Sequence, residues 1–236
     1  MSYKLNNHQE NESEIESYIW HFRRNPSLLK SMGNLIDVEK DTVLINANEI
    51  PKYCYYVKSG RVISYEYSKS GEERIYAFSE RDSLVLEESL LFMRPVPVSF
   101  RAAVNSKLVQ IDRNTLLSEI VNNPEFAIDI IHSVSEKFLS AMEQIRQISS
   151  YSATWKICSL LIVFANNYGV PYDGKTLIQE KISQQMISSM LGINRITAVR
   201  IIKDLKNTGL IEQINGYYCI RSIDKLKRHM ELIENE

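Results

Sequence analysis

Between Ser183 and Ile220 the spacing of apolar positions changes period. Ile187 and Leu191 lie four apart, on one face of a helix. Ser188 between them is small where a second helix must pass close. Gly192 can take the left-handed conformation of a sharp interhelical turn, Ile193 plugs that turn, and Asn194 suits the N-cap of the next helix. In that helix Ala198, Ile201, Ile202 and Leu205 form an inward stripe, which leaves Arg195, Ile196, Val199, Arg200 and Lys203 outward. Beyond Gly209 the period falls to two. Leu210–Gln213, Asn215-Gly216 and Tyr217–Ile220 predict strand, turn and strand, because both residues of an Asn-Gly turn take positive φ. Two helices followed by a hairpin make a winged helix-turn-helix, a reader of double-stranded DNA. Wing residues near Asn215 and Tyr217 are expected to add phosphate or minor-groove contacts.

Upstream the pattern is different. Thr42–Ile45, Tyr53–Lys58, Val62–Tyr67, Arg74–Phe78, Leu84–Leu86 and Leu108–Ile111 are short, rich in β-branched and aromatic residues, and separated by turn glycines such as Gly60 and Gly71. Such spacing predicts a β-sandwich or barrel-like roll. Asn122-Asn123-Pro124 then opens a long helix. On it Ile131, Val134, Phe138, Ala141, Ile145 and Ile148 follow a 3-4-3-4-3 spacing, the a/d seam of a coiled coil. Three heptads also suit a lone amphipathic helix packed on its own domain. A long helix between a β-domain and a DNA reader nevertheless favours a dimer axis. Ser149-Ser150-Tyr151-Ser152 reads as a hinge, Thr154–Asn167 as a helix, Tyr168–Gly174 as a loop and Thr176–Gln179 as a short strand. The expected fold class is α+β, with a roll and N-terminal arm over residues 1–122, a dimerisation helix and hinge over 123–150, and the winged domain over 151–236.

Composition narrows the function. The chain has 236 residues with formal charge −1, but the charge is uneven. Residues 151–236 hold 11 Lys/Arg and 8 Asp/Glu, while the remainder holds 17 and 21. Within 181–207 five basic residues face one acid, Asp204, so positive charge sits where DNA phosphates would be met. No run is apolar and long enough to span a bilayer, and the N-terminus lacks a signal-peptide layout. Cys54, Cys158 and Cys219 are odd in number and form no C-x-x-C pair, as expected of a cytoplasmic chain with reduced thiols. No nucleophile–base pair, phosphate-binding glycine loop or clustered metal ligands stand at recognisable spacing, so an enzyme or metal protein is not expected. Glu87-Glu88 is a carboxylate pair, but as strand neighbours the two would point to opposite faces.

Roll, long helix and winged helix-turn-helix, in this order and size, resemble the Crp/Fnr family of bacterial transcription regulators. The resemblance covers about Val38 to Leu226. It rests on Tyr56-Val57-Lys58-Ser59-Gly60-Arg61-Val62, Gly71, Glu88-Ser89-Leu90-Leu91-Phe92, Arg101-Ala102 and, most closely, Ile182–Ile211. It implies a jelly-roll domain of the cyclic-nucleotide-binding type whose effector, bound between roll and dimer helix, reorients two DNA readers. It implies that Arg195 and Arg200 stand on the recognition helix as the family's base-reading arginines. Ile196 and Val199 would add base contacts, with Thr197, Lys203, Ser183, Gln184 and Gln185 on phosphates. Ile196 replaces the acid that many members place between the arginines; it can pack on a thymine methyl but cannot accept from cytosine. Double-stranded promoter DNA and a second copy are the implied partners, with RNA polymerase as a third if the protein activates. A regulatory module whose wing serves protein contacts is the alternative reading.

The resemblance also places an effector pocket near Glu88, Ser89, Ser99, Arg101, Phe138 and Met142. Its cyclic-AMP version needs a glycine where Glu87 stands and an Arg-Ser pair where Pro95–Ser99 holds no basic residue. The two hydroxyls that meet the adenine align with Ala141 and Met142. These losses argue against cyclic AMP, and no cofactor is expected. A four-cysteine iron–sulfur site is excluded, because only Cys54 lies in the sensing half. His8, His21 and His132 read as ordinary histidines rather than haem ligands. Cys54 reads as a buried strand thiol rather than a redox switch.

Overall fold

The computed structural model describes residues 19–20, 29 and 31–234. The predicted N-terminal arm, His8 and His21 lie outside them. The roll is two facing sheets. One holds β1 (Ile19–Trp20), β6 (Glu73–Ser79), β5 (Val62–Tyr67), β8 (Ser99–Ala102) and β3 (Val43–Ile45), in that order. The other holds β2 (Asn34–Val38), β9 (Ser106–Asp112), β4 (Tyr53–Ser59) and β7 (Leu84–Val85). Tyr56, Val57, Val62, Leu84, Phe100, Leu108 and Ile111 belong to the core of the roll. Side chains alternate across a strand, so Val62 points inward while Ile63 and Tyr65 point outward. The outward pair belongs to a second core, shared with the C-terminal domain.

A short helix α1 (Glu87–Phe92) follows β7, where a strand was expected to run to Leu86. Leu86 instead takes a left-handed backbone and turns the chain into the helix. Glu87 and Glu88 are therefore helical neighbours, and the argument that they diverge as strand neighbours fails. Helix α2 (Arg113–Asn122) starts at Asp112, whose side chain accepts from the backbone N–H groups of Asn114 and Thr115 at 2.9 and 3.0 Å. Helix α3 (Pro124–Ser150) is capped by Asn123 and begins on a proline, which lacks the N–H a first helical turn leaves unpaired. It runs through Ser149 and Ser150, so the break in the chain narrows to Tyr151-Ser152. Tyr151 stacks on Trp155 with ring centroids 3.8 Å apart.

The C-terminal domain is built on α4 (Ala153–Tyr168), where Ile157, Cys158 and the whole run Leu160–Ala165 are buried. A helix apolar all round must be enclosed. Its enclosure includes a four-stranded sheet ordered β10 (Gly169–Tyr172), β11 (Lys175–Ile178), β13 (Tyr217–Ile220) and β12 (Ile211–Ile214). The stretch expected to be a loop, Tyr168–Gly174, is thus mostly strand β10 and its turn. Asp173 and Gly174 both have positive φ, the geometry of a two-residue hairpin turn. Pro171 is tolerated because β10 is an edge strand. Helices α5 (Gln184–Leu191), α6 (Arg195–Asn207) and α7 (Ile223–Glu234) complete the domain. Among the described residues no helix is long and apolar enough to cross a membrane.

Candidate nucleic-acid interface

Each joint of the helix-turn-helix has a local cause. Ser183 caps α5 by accepting from the Met186 N–H at 3.0 Å, and Asn194 caps α6 by accepting from the Ile196 N–H at 2.8 Å. Gly192 supplies the left-handed turn at φ 60°. Ser188, expected only to be small, also donates its hydroxyl to the Ile193 carbonyl at 2.7 Å and so pins the turn. Ala198, Ile201, Ile202 and Leu205 are buried as the inward stripe. The wing turns at Asn215 and Gly216, both at positive φ.

The opposite face of α6 is open. Arg195, Ile196, Val199, Arg200 and Lys203 are exposed, Ile196 to 79%. Thr197 is half-buried on the same helix. Among the described residues none of Arg195, Arg200 and Lys203 pairs with a carboxylate, so their charges are free to meet an anionic partner. Lys206 differs: its Nζ donates to Gln213 Oε1 at 2.7 Å and lies over the Tyr218 ring, bracing the wing. Lys181 similarly sits over Tyr217, 5.6 Å from its centroid. Ser183 and Gln185 are exposed and Gln184 is half-buried at the start of α5. Ser183 and Gln185 also line a cleft of about 350 Å³ between the reader and the roll.

The expected effector residues are dispersed. Arg101 lines that same interdomain cleft and donates to Glu73 at 2.7 Å. The Ser99 hydroxyl accepts from the Ala47 N–H at 3.0 Å. Ser89 is buried in α1, while Phe138 and Met142 are exposed on α3. Only Glu88 joins a cluster at the junction of roll and long helix, and its centre is a residue the sequence reading missed. Lys137 Nζ lies 2.7 and 2.6 Å from the two Glu87 carboxylate oxygens and 3.2 Å from Glu88. The Ser133 hydroxyl donates to Glu87 at 2.8 Å. Complete burial, with Glu88 beside it, raises the Glu87 pKa to about 7 despite Lys137. Burial also opposes the charges of Lys137 and Glu88, but Lys137 holds Glu88 below the usual carboxylate range, and the two carboxylates hold Lys137 above its ordinary value. One ammonium thus serves two carboxylates. Cys54 is fully buried, and burial pushes its thiol well above the usual range, so it is no ready nucleophile. His132 is exposed on α3.

Residues 35–123 match the cyclic nucleotide-binding domain, and residues 156–229 match the Crp-like helix-turn-helix domain. The chain belongs to the Crp/Fnr family of transcription regulators. It is therefore a DNA-binding transcription regulator of the Crp/Fnr type rather than an enzyme. The regulatory protein HlyX of Actinobacillus pleuropneumoniae is 24% identical over 203 residues, covering 84% of each chain. Among solved structures, a variant of CooA from Carboxydothermus hydrogenoformans superposes with a TM-score of 0.74 at 19% identity, covering 86% of this chain and 90% of that one. CprK in complex with OCPA gives 0.73 at 16% identity, covering 91% and 97%. At these identities the structural likeness speaks for the fold, which is that of the Crp/Fnr regulators from roll to wing.

Proposed function

We propose that the protein acts as a homodimer that reads a two-fold symmetric promoter duplex by inserting α6 into successive major grooves. The observation that carries this reading is the division of α3 into two stripes. Phe126, Ile130, Ser133, Lys137, Ser140, Gln144 and Gln147 recur at 4-3-4-3-4-3 spacing, and Phe126, Ile130, Ser133, Ser140 and Gln147 are buried against the chain's own domains. Beyond Ile130 that inward stripe is polar. The apolar stripe is the other one: Ile131, Phe138, Ile145 and Ile148 are exposed, Phe138 to 63%, with Ala141 exposed and Val134 half-buried between them. A helix that buries its polar stripe and exposes its apolar one fits a second copy of itself.

Arg195 and Arg200 then fork onto guanine O6 and N7, while Ile196 and Val199 pack on thymine methyls. Ser183, Gln184, Gln185, Thr197, Lys203, Asn215 and Tyr217 contact the backbone and set register. The protein responds to a small effector other than cyclic AMP, or works without one. A cyclic phosphate at the junction of roll and α3 would meet Glu87 and Glu88, whose one cation is already shared. Selecting duplexes from a random pool, with and without cyclic AMP, tests the whole reading. The expected outcome is a palindrome recovered equally well in both. On the recovered site Arg200→Ala should erase sequence preference, a loss of about 1–3 kcal/mol on the matched base. Gln184→Ala should weaken matched and scrambled DNA alike. If the two variants behave identically on both, the division into base and phosphate contacts is wrong.

A further inference from the structure

We propose that Arg61, a residue of the roll, is a positioning residue for DNA reading. It clamps the reader to its own roll, and so fixes the angle and separation at which the dimer presents its two α6 helices. The proposal rests on the dimeric reading above.

Arg61 sits in the turn between β4 and β5, and its guanidinium reaches out of the roll. Nε donates to Glu80 of the roll, and Nη1 donates to Glu180, in the segment leading into α5, at 3.0 Å. The same group lies 4.8 Å from the Phe78 ring centroid and 5.8 Å from that of Tyr168, at the end of α4. The Tyr168 hydroxyl closes the ring by donating to Glu80 at 2.7 Å. Three residues of the roll and two of the reader therefore form one cluster, with the Arg61 side chain only 12% exposed. Burial alone would lower the Arg61 pKa, but the Glu180 hydrogen bond and the Glu80 charge outweigh it and keep the guanidinium charged. A planar fork gives each carboxylate its own fixed N–H while its flat face lies on aromatic rings; an ammonium has neither the fork nor the face.

The clamp does not act alone. Ile63, Tyr65, Ile75 and Phe78 on the outer face of the roll share a core with the reader. Arg74 lies over the helix-turn-helix turn, where a Cβ on Gly192 would come within 1.7 Å of its Nη1. Domains joined by a short linker move relative to each other by default, unless their interface is large and apolar. Here the linker is Tyr151-Ser152, and the interface is apolar with a buried ionic centre. In this docked arrangement Arg195, Ile196, Val199 and Arg200 are exposed, and none of them lines the cleft. The docked state thus leaves the outward face of α6 open, while Ser183 and Gln185 at the start of α5 line the cleft toward the roll.

A dimer built on α3 passes this rigidity to the operator. One extra base pair between half-sites turns one of them by about 35° relative to the other. Two clamped readers cannot follow that change cheaply, whereas two loose ones can. The test titrates full-length wild type, Arg61→Ala, Arg61→Lys and Glu180→Ala against three duplexes. These are the selected operator, the operator with one base pair added between half-sites, and the operator with one removed. Wild type should lose at least roughly tenfold in affinity on either altered spacing, the scale of one broken charge-assisted contact. Arg61→Ala should bind the operator itself more weakly and show a much smaller spacing penalty. Arg61→Lys, which keeps charge but not the fork, should fall between them. Glu180→Ala leaves Arg61 on Glu80 within the roll, so it relaxes spacing without threatening the fold. A change in stability alone would lower affinity on all three duplexes together and leave their ratios unmoved. Equal ratios in wild type and variants would overturn the clamp, as would tighter operator binding by the variants, which would make it a brake. If wild type shows no preference for two-fold sites, the dimeric reading fails first and the clamp with it.

Discussion

Glu87 is the residue whose surroundings conflict most with its chemistry. It is completely buried, yet among the described residues it shares its one cation, Lys137, with Glu88. Its pKa of about 7 lies above the ordinary carboxylate value, so the folded chain holds that proton more tightly than the unfolded chain does. The resulting stabilisation is complete below the ordinary carboxylate pKa and is lost as pH rises through about 7. Glu87→Gln removes the titration while leaving Lys137 paired with Glu88. The variant's melting temperature minus that of wild type should therefore grow between pH 5 and pH 8, by about 2–4 °C for each kcal/mol. A difference that stays constant over that range rules out Glu87 as the titrating group. The Glu87-Glu88 pair was visible in the chain, but its partner was not. Lys137 lies some fifty positions away, and only the packing of α1 on α3 brings it there. The caps, the turn and the open face of α6 were legible because their causes are local. A cap, a turn glycine and an outward arginine each follow from neighbours within four positions.

At the scale of elements, α3 carries the clearest instruction. Its apolar stripe at Ile131, Phe138 and Ile145 was readable as heptad spacing, but spacing alone leaves open whether such a stripe faces its own domain or another molecule. The fold supports the second choice, because the inward side is taken by Ser133, Lys137, Ser140 and Gln147. Phe138→Glu should then give a monomer of unchanged fold by sedimentation, with operator affinity reduced to that of a half-site. A dimer that survives this substitution would move the interface elsewhere. Hairpins were legible where their turn chemistry was heeded. Asn215-Gly216 reads as a turn and is one. Asp173-Gly174 is a turn of the same kind, but Gly169, Pro171 and Gly174 together make Tyr168–Gly174 read as a loop. An edge strand accommodates a proline because its unpaired side needs no N–H.

At the scale of the whole molecule, the roll and the reader are not independent beads. Phe78 is 1% exposed although it lies on the outer face of the roll, beneath Arg61 and edge-on to Phe164 at 6.0 Å. Phe78→Ala should remove about 3–5 kcal/mol of packing and uncouple the two units. Calorimetry should show one transition for wild type and two for the variant, with Trp155 fluorescence, read in a Trp20→Phe background, following only one of the pair. A single transition merely moved to lower temperature would mean that this face does not hold the domains together.

The chain by itself determined the order of the domains, the reader with its caps and turn, the wing, and the existence of an apolar stripe on the long helix. These features rest on interactions a few residues in range, or on a periodicity written in consecutive positions. Only the tertiary structure decided which stripe of α3 is buried, that Lys137 meets Glu87 and Glu88, and that Arg61 ties the reader to the roll. Those are contacts between groups roughly fifty to over a hundred residues apart. Their partners are chosen by how finished elements pack, and no local pattern of hydrophobic and polar positions records that choice.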